Sequence, residues 1–235
     1  MADLPLYIAI TFEGVVLVTL AVFFYAITRA CTVRQALLVM GTLVLWSIIQ
    51  SGLALRGFYQ EELNSLPPRF LFILPPTLLV MIALLSLRRG RAFLDRLPLV
   101  PLTYLSAVRV AVEVVLYWLF LYETVPELMT FAGRNFDILA GLTAPLIAYF
   151  GLQRSGLNRS ILIAWNSIAL SLLLFIIANA VLSLPTPLQQ LAFDQPNVAI
   201  LYFPFVLLPA VVAPIVLFTH VVSLWQLRSE LSPDQ

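Results

Sequence analysis

Of the chain's 235 residues, 61% are hydrophobic and 11% charged, with a mean hydropathy of +0.99. Soluble domains carry about 25% charged residues, so this composition places most of the chain in lipid and excludes a soluble catalytic domain or a nucleic-acid-binding module. The net charge of +1 says nothing about partners, while a single cysteine, Cys31, excludes an internal disulfide and any multi-cysteine metal site.

A spanning helix needs about 20 apolar residues. Apolar runs at 6–28, 35–55, 70–87, 101–122, 136–153, 161–183 and 198–225 predict an all-α, single-domain bundle of seven transmembrane helices. The connections are short and polar, or punctuated by Pro67-Pro68, Arg88-Arg89-Gly90-Arg91, Pro98, Gly133 and Pro185–Pro187. Orientation follows from arginine, the only basic residue type apart from one histidine. Nine arginines (29, 34, 88, 89, 91, 96, 154, 159 and 228) fall on one face and three, Arg56, Arg69 and Arg134, on the other. Positive residues collect in the cytoplasm, which predicts an N-terminus outside and a C-terminus inside.

The first run follows an acidic start at Asp3 and has no clean small-residue cleavage pattern, so it reads as a retained helix. It carries Glu13, roughly 12 Å below the outer surface at about 1.5 Å per residue. The second run contains Gln50, and the third has Pro75-Pro76 close to its outer end. The fourth contains Arg109 and Glu113, roughly 12 and 18 Å from the cytoplasmic end and four residues apart on one face. A charge in hydrocarbon costs roughly 3 kcal/mol or more, which marks Glu13, Arg109 and Glu113 as a mid-membrane polar site if they meet. Two carboxylates and one guanidinium leave one acid in excess, a candidate for proton binding. The competing reading is an Arg–Glu pair that only locks helices together.

Before the fifth run stands Gly133-Arg134-Asn135-Phe136-Asp137. Asn135 suits an N-cap and Asp137 the first turn of a helix; in a functional reading Arg134 and Asp137 line an outward-facing mouth. Ala140, Ala144 and Ala148, beside Gly141, form a small-residue packing face. Asn166 and Asn179 in the sixth run, like Gln50, read as interhelical glue or as pore lining. The last run is broken by Pro204, Pro209 and Pro214, which free the carbonyls of Ile200, Phe205 and Ala210 and make this segment a candidate hinge. His220 near its inner end reads as a hydrogen-bonded interface residue.

Seven helices with an outside N-terminus invite comparison with rhodopsins, but a retinal Schiff base needs a lysine amine and the chain has none. One His and one Cys exclude multi-histidine iron, N/S-ligated zinc and bis-histidine haem, so no cofactor and no metal are expected. No nucleophile elbow or phosphate-binding loop is present. The stretches MTFAGRNFDILAGLTAP (129–145) and FDQPNVAILYFPF (193–205) make the second half similar to uncharacterised bacterial multi-pass membrane proteins. That resemblance implies a bacterial plasma membrane and no activity. The best functional expectation is a small-solute or ion transporter or receptor. An accessory or assembly subunit of a larger membrane complex is the alternative, and an intramembrane lipid-modifying enzyme ranks below both. Expected partners are the bilayer and other membrane subunits or a second copy.

Overall fold

Nonpolar residues in α1 (Leu6–Ala30) recur every three or four positions, and the stripe Ile8, Phe12, Val15, Val16, Thr19, Phe23 and Ala26 is buried. The computed structural model that shows this describes residues 4–229; the acidic start at Asp3 lies outside them. Phe12 packs on Phe205 and Phe23 on Phe218, with ring centroids 5.4 and 5.7 Å apart, so α1 lies along the last part of the chain.

Helix α2 (Val33–Leu55) opens with a capping box. Thr32 Oγ1 accepts from the Gln35 N–H at 3.3 Å, and Gln35 Oε1 accepts from the Thr32 N–H at 3.1 Å. A 3-10 turn (Arg69–Ile73) leads into α3 (Leu74–Ser86), whose Pro75 and Pro76 fall in the first turn, where a missing N–H breaks no helical bond. Both helices sit at the edge: α2 buries only Ala36, Gln50 and Ala54, and α3 only Met81. The Arg88-to-Arg91 stretch, expected as a connection, is instead a short helix, α4 (Arg88–Leu94). Gly90 permits its close fold onto α3, since a Cβ there would lie 2.6 Å from Leu84 Cα.

α5 (Leu99–Leu105) and α6 (Val108–Leu121) make one span joined by a tight turn, in which Ser106 and Ala107 donate to Thr103 and Tyr104 at 3.1 and 3.0 Å. α7 (Asp137–Leu146) contains Pro145 and continues as a wider π-type segment, Ile147–Gln153. α8 (Arg159–Leu182) is N-capped by Asn158, whose Oδ1 accepts from the Ile161 N–H at 2.9 Å. The run expected as one helix over 198–225 is not continuous. Ala199–Leu201 is a 3-10 turn, Pro204 sits in irregular chain, a π-type segment spans Leu208–Val212, and α9 (Ala213–Ser229) follows.

Among the described residues the protein is all-helical, and six helices are long and apolar enough to cross a membrane: Leu6–Ala30, Val33–Leu55, Arg69–Ser86, Leu99–Leu121, Arg159–Leu182 and Leu208–Arg228. Asp137–Gln153 is apolar but shorter. The packed centre is made by α1, α5–α6, α7, α8 and α9.

Candidate functional site

Arg109 is 3% exposed and its guanidinium is bonded to three other helices. Nε donates to Asp137 Oδ2 of α7 at 2.6 Å, and Nη2 donates to Asp137 Oδ1 and, at 2.9 Å, to the Ala169 carbonyl of α8. Nη1 lies 3.2 Å from His220 Nε2 of α9. A guanidinium only donates, so His220 Nε2 must accept. Asn166 Nδ2 donates to the Leu162 carbonyl at 2.9 Å, which turns its Oδ1 toward His220 Nδ1 at 3.0 Å. Nδ1 therefore carries the proton, and the imidazole is the neutral Nδ1–H tautomer. This fork-on-carboxylate pair, with four of the five guanidinium N–H groups engaged, is the arrangement that makes a buried charge tolerable.

Glu113, one turn along α6, is 2% exposed. Asn135 Nδ2 donates to Glu113 Oε1 and to the Met129 carbonyl at 3.0 Å, while Asn135 Oδ1 accepts from the Asp137 N–H at 3.0 Å. Asn135 thus joins the acid of α6 to the first turn of α7. Glu113 Oε2 is buried with no hydrogen-bond partner.

The depth of this cluster explains the shortness of α7. Glu113 lies roughly 12 Å below the Leu121 end of α6 at 1.5 Å per residue, and α7 starts beside it. Gly141 sets the register, since a Cβ there would lie 3.0 Å from the Val110 backbone N and 3.2 Å from Arg109 Cβ. Ala140, Ala144 and Ala148 are buried, as a packing face requires. Between α6 and α7 the chain dips back toward the cluster, with Val125, Met129 and Thr130 buried. Its polar groups are met internally: the Thr124 carbonyl accepts from the Val198 and Ala199 N–H groups, both at 3.0 Å, and the Glu127 carbonyl from the Thr130 N–H at 2.8 Å. Irregular backbone at membrane depth is tolerated on that condition.

The residues expected to meet are only partly the ones that do. Glu13 does not join Arg109 and Glu113; it is exposed, about 100° around α1 from buried Phe12, because the packing stripe passes it by. Asp137, expected at an outer mouth, is the ion-pair partner of Arg109. Asn135 is not the N-cap, a position held by Phe136, although its side chain takes up the Asp137 N–H. Arg134 is exposed and apart from the cluster. Gln50 accepts from the Tyr59 hydroxyl in the turn after its own helix, so it is not interhelical glue. Asn179 is buried with Nδ2 unpartnered. Of the carbonyls that the prolines free, Ala210 accepts from Trp46 Nε1 of α2 at 3.1 Å and Phe205 from the Leu208 N–H at 2.9 Å. His220, read from the sequence only as an interface residue, and Asn166, read as interhelical glue or pore lining, complete the network.

A cavity of about 120 Å³ reaches Arg109, Glu113, Asn135 and Asp137. Apart from that polar end and Thr77 of α3 its walls are apolar, from Leu78 of α3, Leu116 of α6, Leu173 and Ile177 of α8, and Val212 and Leu217 near or on α9. An engineered apolar cavity of about 150 Å³ accepts benzene, so this space holds a group of roughly that size. Wall residues on α3, α8 and α9, such as Leu78, Ile177 and Leu217, are also partly exposed, and they lie within the spans. The cavity walls thus reach the side of the bundle, between helices that are long and apolar enough to span. Among the described residues no group of three or more His, Cys, Asp and Glu side chains is placed to hold a metal ion.

No family model matches the chain, and no curated protein or solved structure matches it either. The resemblance of its second half to bacterial multi-pass proteins thus gains no family from these comparisons.

Proposed function

We propose that the chain is a seven-span membrane protein, N-terminus outside and C-terminus cytoplasmic, that binds a small lipid-soluble ligand at Glu113 and acts as its carrier or receptor. The observation that carries this reading is the unpartnered Glu113 Oε2 at the polar end of an otherwise largely apolar cavity. Four N–H groups of Arg109 are already engaged by Asp137, Ala169 and His220, which disfavours an anionic ligand head. Glu113 Oε2 lacks a partner as a carboxylate acceptor or as a carboxylic-acid donor, and a hydroxyl or a neutral amine meets either form, so the ligand head is a hydroxyl or an amine and its alkyl part lies along α3, α8 and α9. Paired-carboxylate enzyme chemistry has less support, because Arg109 engages both oxygens of Asp137.

The seventh span is Asp137–Gln153, whose deep start beside Glu113 accounts for its length. The resemblance to bacterial multi-pass proteins supports an inner-membrane location, and the arginine asymmetry supports the orientation. Cys31, between α1 and α2, tests it: a membrane-impermeant maleimide should label Cys31 only from the cytoplasmic side of sealed vesicles, and labelling only from outside overturns the orientation.

Native mass spectrometry of protein purified in mild detergent tests the ligand. An alkyl alcohol or amine is expected on the wild type and lost from Glu113→Leu, in which Asn135 Nδ2 still has the Met129 carbonyl. The same ligand retained by Glu113→Leu would contradict the reading.

A further inference from the structure

At the end of the bundle where α3 and α9 both terminate lies a second feature, which shares no residue with the Glu113 cavity. A groove of about 470 Å³ runs between them, walled by Leu85 on one side and Val221, Leu224, Trp225 and Arg228 on the other. Trp225 Nε1 donates to Asp95 Oδ1 at 2.7 Å, and Gln226 Nε2 to the Leu94 and Leu97 carbonyls at 2.6 and 2.8 Å. These bonds tie the end of α9 to the end of α4. Exposed Arg88, Arg89 and Arg91 of α4, Arg96 just beyond it, and Arg228 of α9 are thereby gathered at this end of the bundle. The one acid within 85–97, Asp95, is engaged by Trp225.

We propose that this groove binds an anionic phospholipid, an acyl chain lying against Leu85, Val221 and Leu224 and the phosphate meeting the arginines of α4 and Arg228. The apolar walls belong to spans, so a chain in the groove stays in hydrocarbon while its headgroup reaches the basic rim. A soluble anion would gain nothing from those walls, whereas basic pockets between spanning helices suit anionic headgroups. Arginines that served topology alone would attract an anionic leaflet without needing a groove, and the test separates the two.

The full-length protein is titrated with phosphatidylglycerol and with phosphatidylcholine in detergent, and bound lipid is read by native mass spectrometry. Phosphatidylglycerol should bind more tightly, and the Arg88→Gln/Arg89→Gln/Arg91→Gln variant should lose about a hundredfold of that affinity, roughly fivefold per arginine. Leu224→Trp, which fills the groove and keeps every charge, should also lose phosphatidylglycerol while retaining the wild-type melting temperature. Glycerol phosphate should not displace the lipid. Equal affinity for the two lipids, or an unchanged triple variant, overturns the proposal. So does phosphatidylglycerol binding that survives Leu224→Trp, since charge alone would then suffice.

Discussion

Asp137→Asn removes one charge from a pair that is almost wholly buried, Arg109 being 3% and Asp137 5% exposed. The guanidinium keeps the Ala169 carbonyl and His220 Nε2 but loses its counter-charge, and an amide meets the two-pronged fork with only one acceptor. Breaking a buried pair from one side costs about 3–5 kcal/mol, on the order of 10 °C in melting temperature for a chain of this size. Thermal unfolding in detergent, followed by intrinsic fluorescence, is the assay. Arg109→Met/Asp137→Leu should recover part of the loss, because an apolar replacement of both partners strands no charge. A loss below about 1 kcal/mol in Asp137→Asn, or a double variant less stable than the single, would refute the assignment of this pair as the lock between α6 and α7.

Gly141→Ala should destabilise by about 1–3 kcal/mol through overpacking, since its Cβ would lie 2.9 Å from Val110 Cγ2 and 3.0 Å from the Val110 backbone N; an unchanged melting curve would contradict the close α6–α7 contact. Trp46→Phe removes the donor to the Ala210 carbonyl, and a loss of about 1 kcal/mol is expected, with faster amide exchange confined to Leu208–Val212. Tyr59, in the turn after α2, is pushed up to about 12 from 10.0 by burial. The folded state therefore favours the neutral phenol. Its contribution to stability is fully present below pH 10 and is lost as the pH rises from 10 toward 12. An ultraviolet titration should show, in the wild type and not in Tyr59→Phe, a tyrosine that is half-ionised only near pH 12.

The spans were readable in the sequence because lipid demands long apolar runs, and Leu6–Ala30 and Val33–Leu55 depart from 6–28 and 35–55 by two residues or fewer at each end. Arg109 and Glu113 were readable for a related reason: a charge inside such a run has a cost that must be met somewhere. Which partners meet it was not readable. Glu13 has the same chemistry as Asp137, but the helical period of α1 turns it away from the centre, whereas the chain before α7 folds back and carries Asp137 inward. Gly141 and the alanine stripe were the one sequence signal of that close approach, and they named a packing face without naming the helix it meets. The break at the start of the last segment escaped for a different reason. Three prolines in an apolar run read equally well as kinks within a helix or as irregular chain, and half-buried partners such as Trp46 and Gln60, whose Nε2 donates to the Leu201 carbonyl at 2.5 Å, stabilise the irregular form.

Photolabelling of the Glu113 cavity is the most direct measurement. Diazirine-bearing alkyl amine, alkyl alcohol and alkyl carboxylate probes of one chain length are irradiated with the protein in nanodiscs, and the labelled peptides are mapped by mass spectrometry. Amine and alcohol should label Leu173, Ile177 and Leu217, more strongly than the carboxylate, and Glu113→Leu should remove that preference. Labelling that is absent from the cavity walls, or that is indifferent to both the probe's head and Glu113, would contradict a ligand site at Glu113.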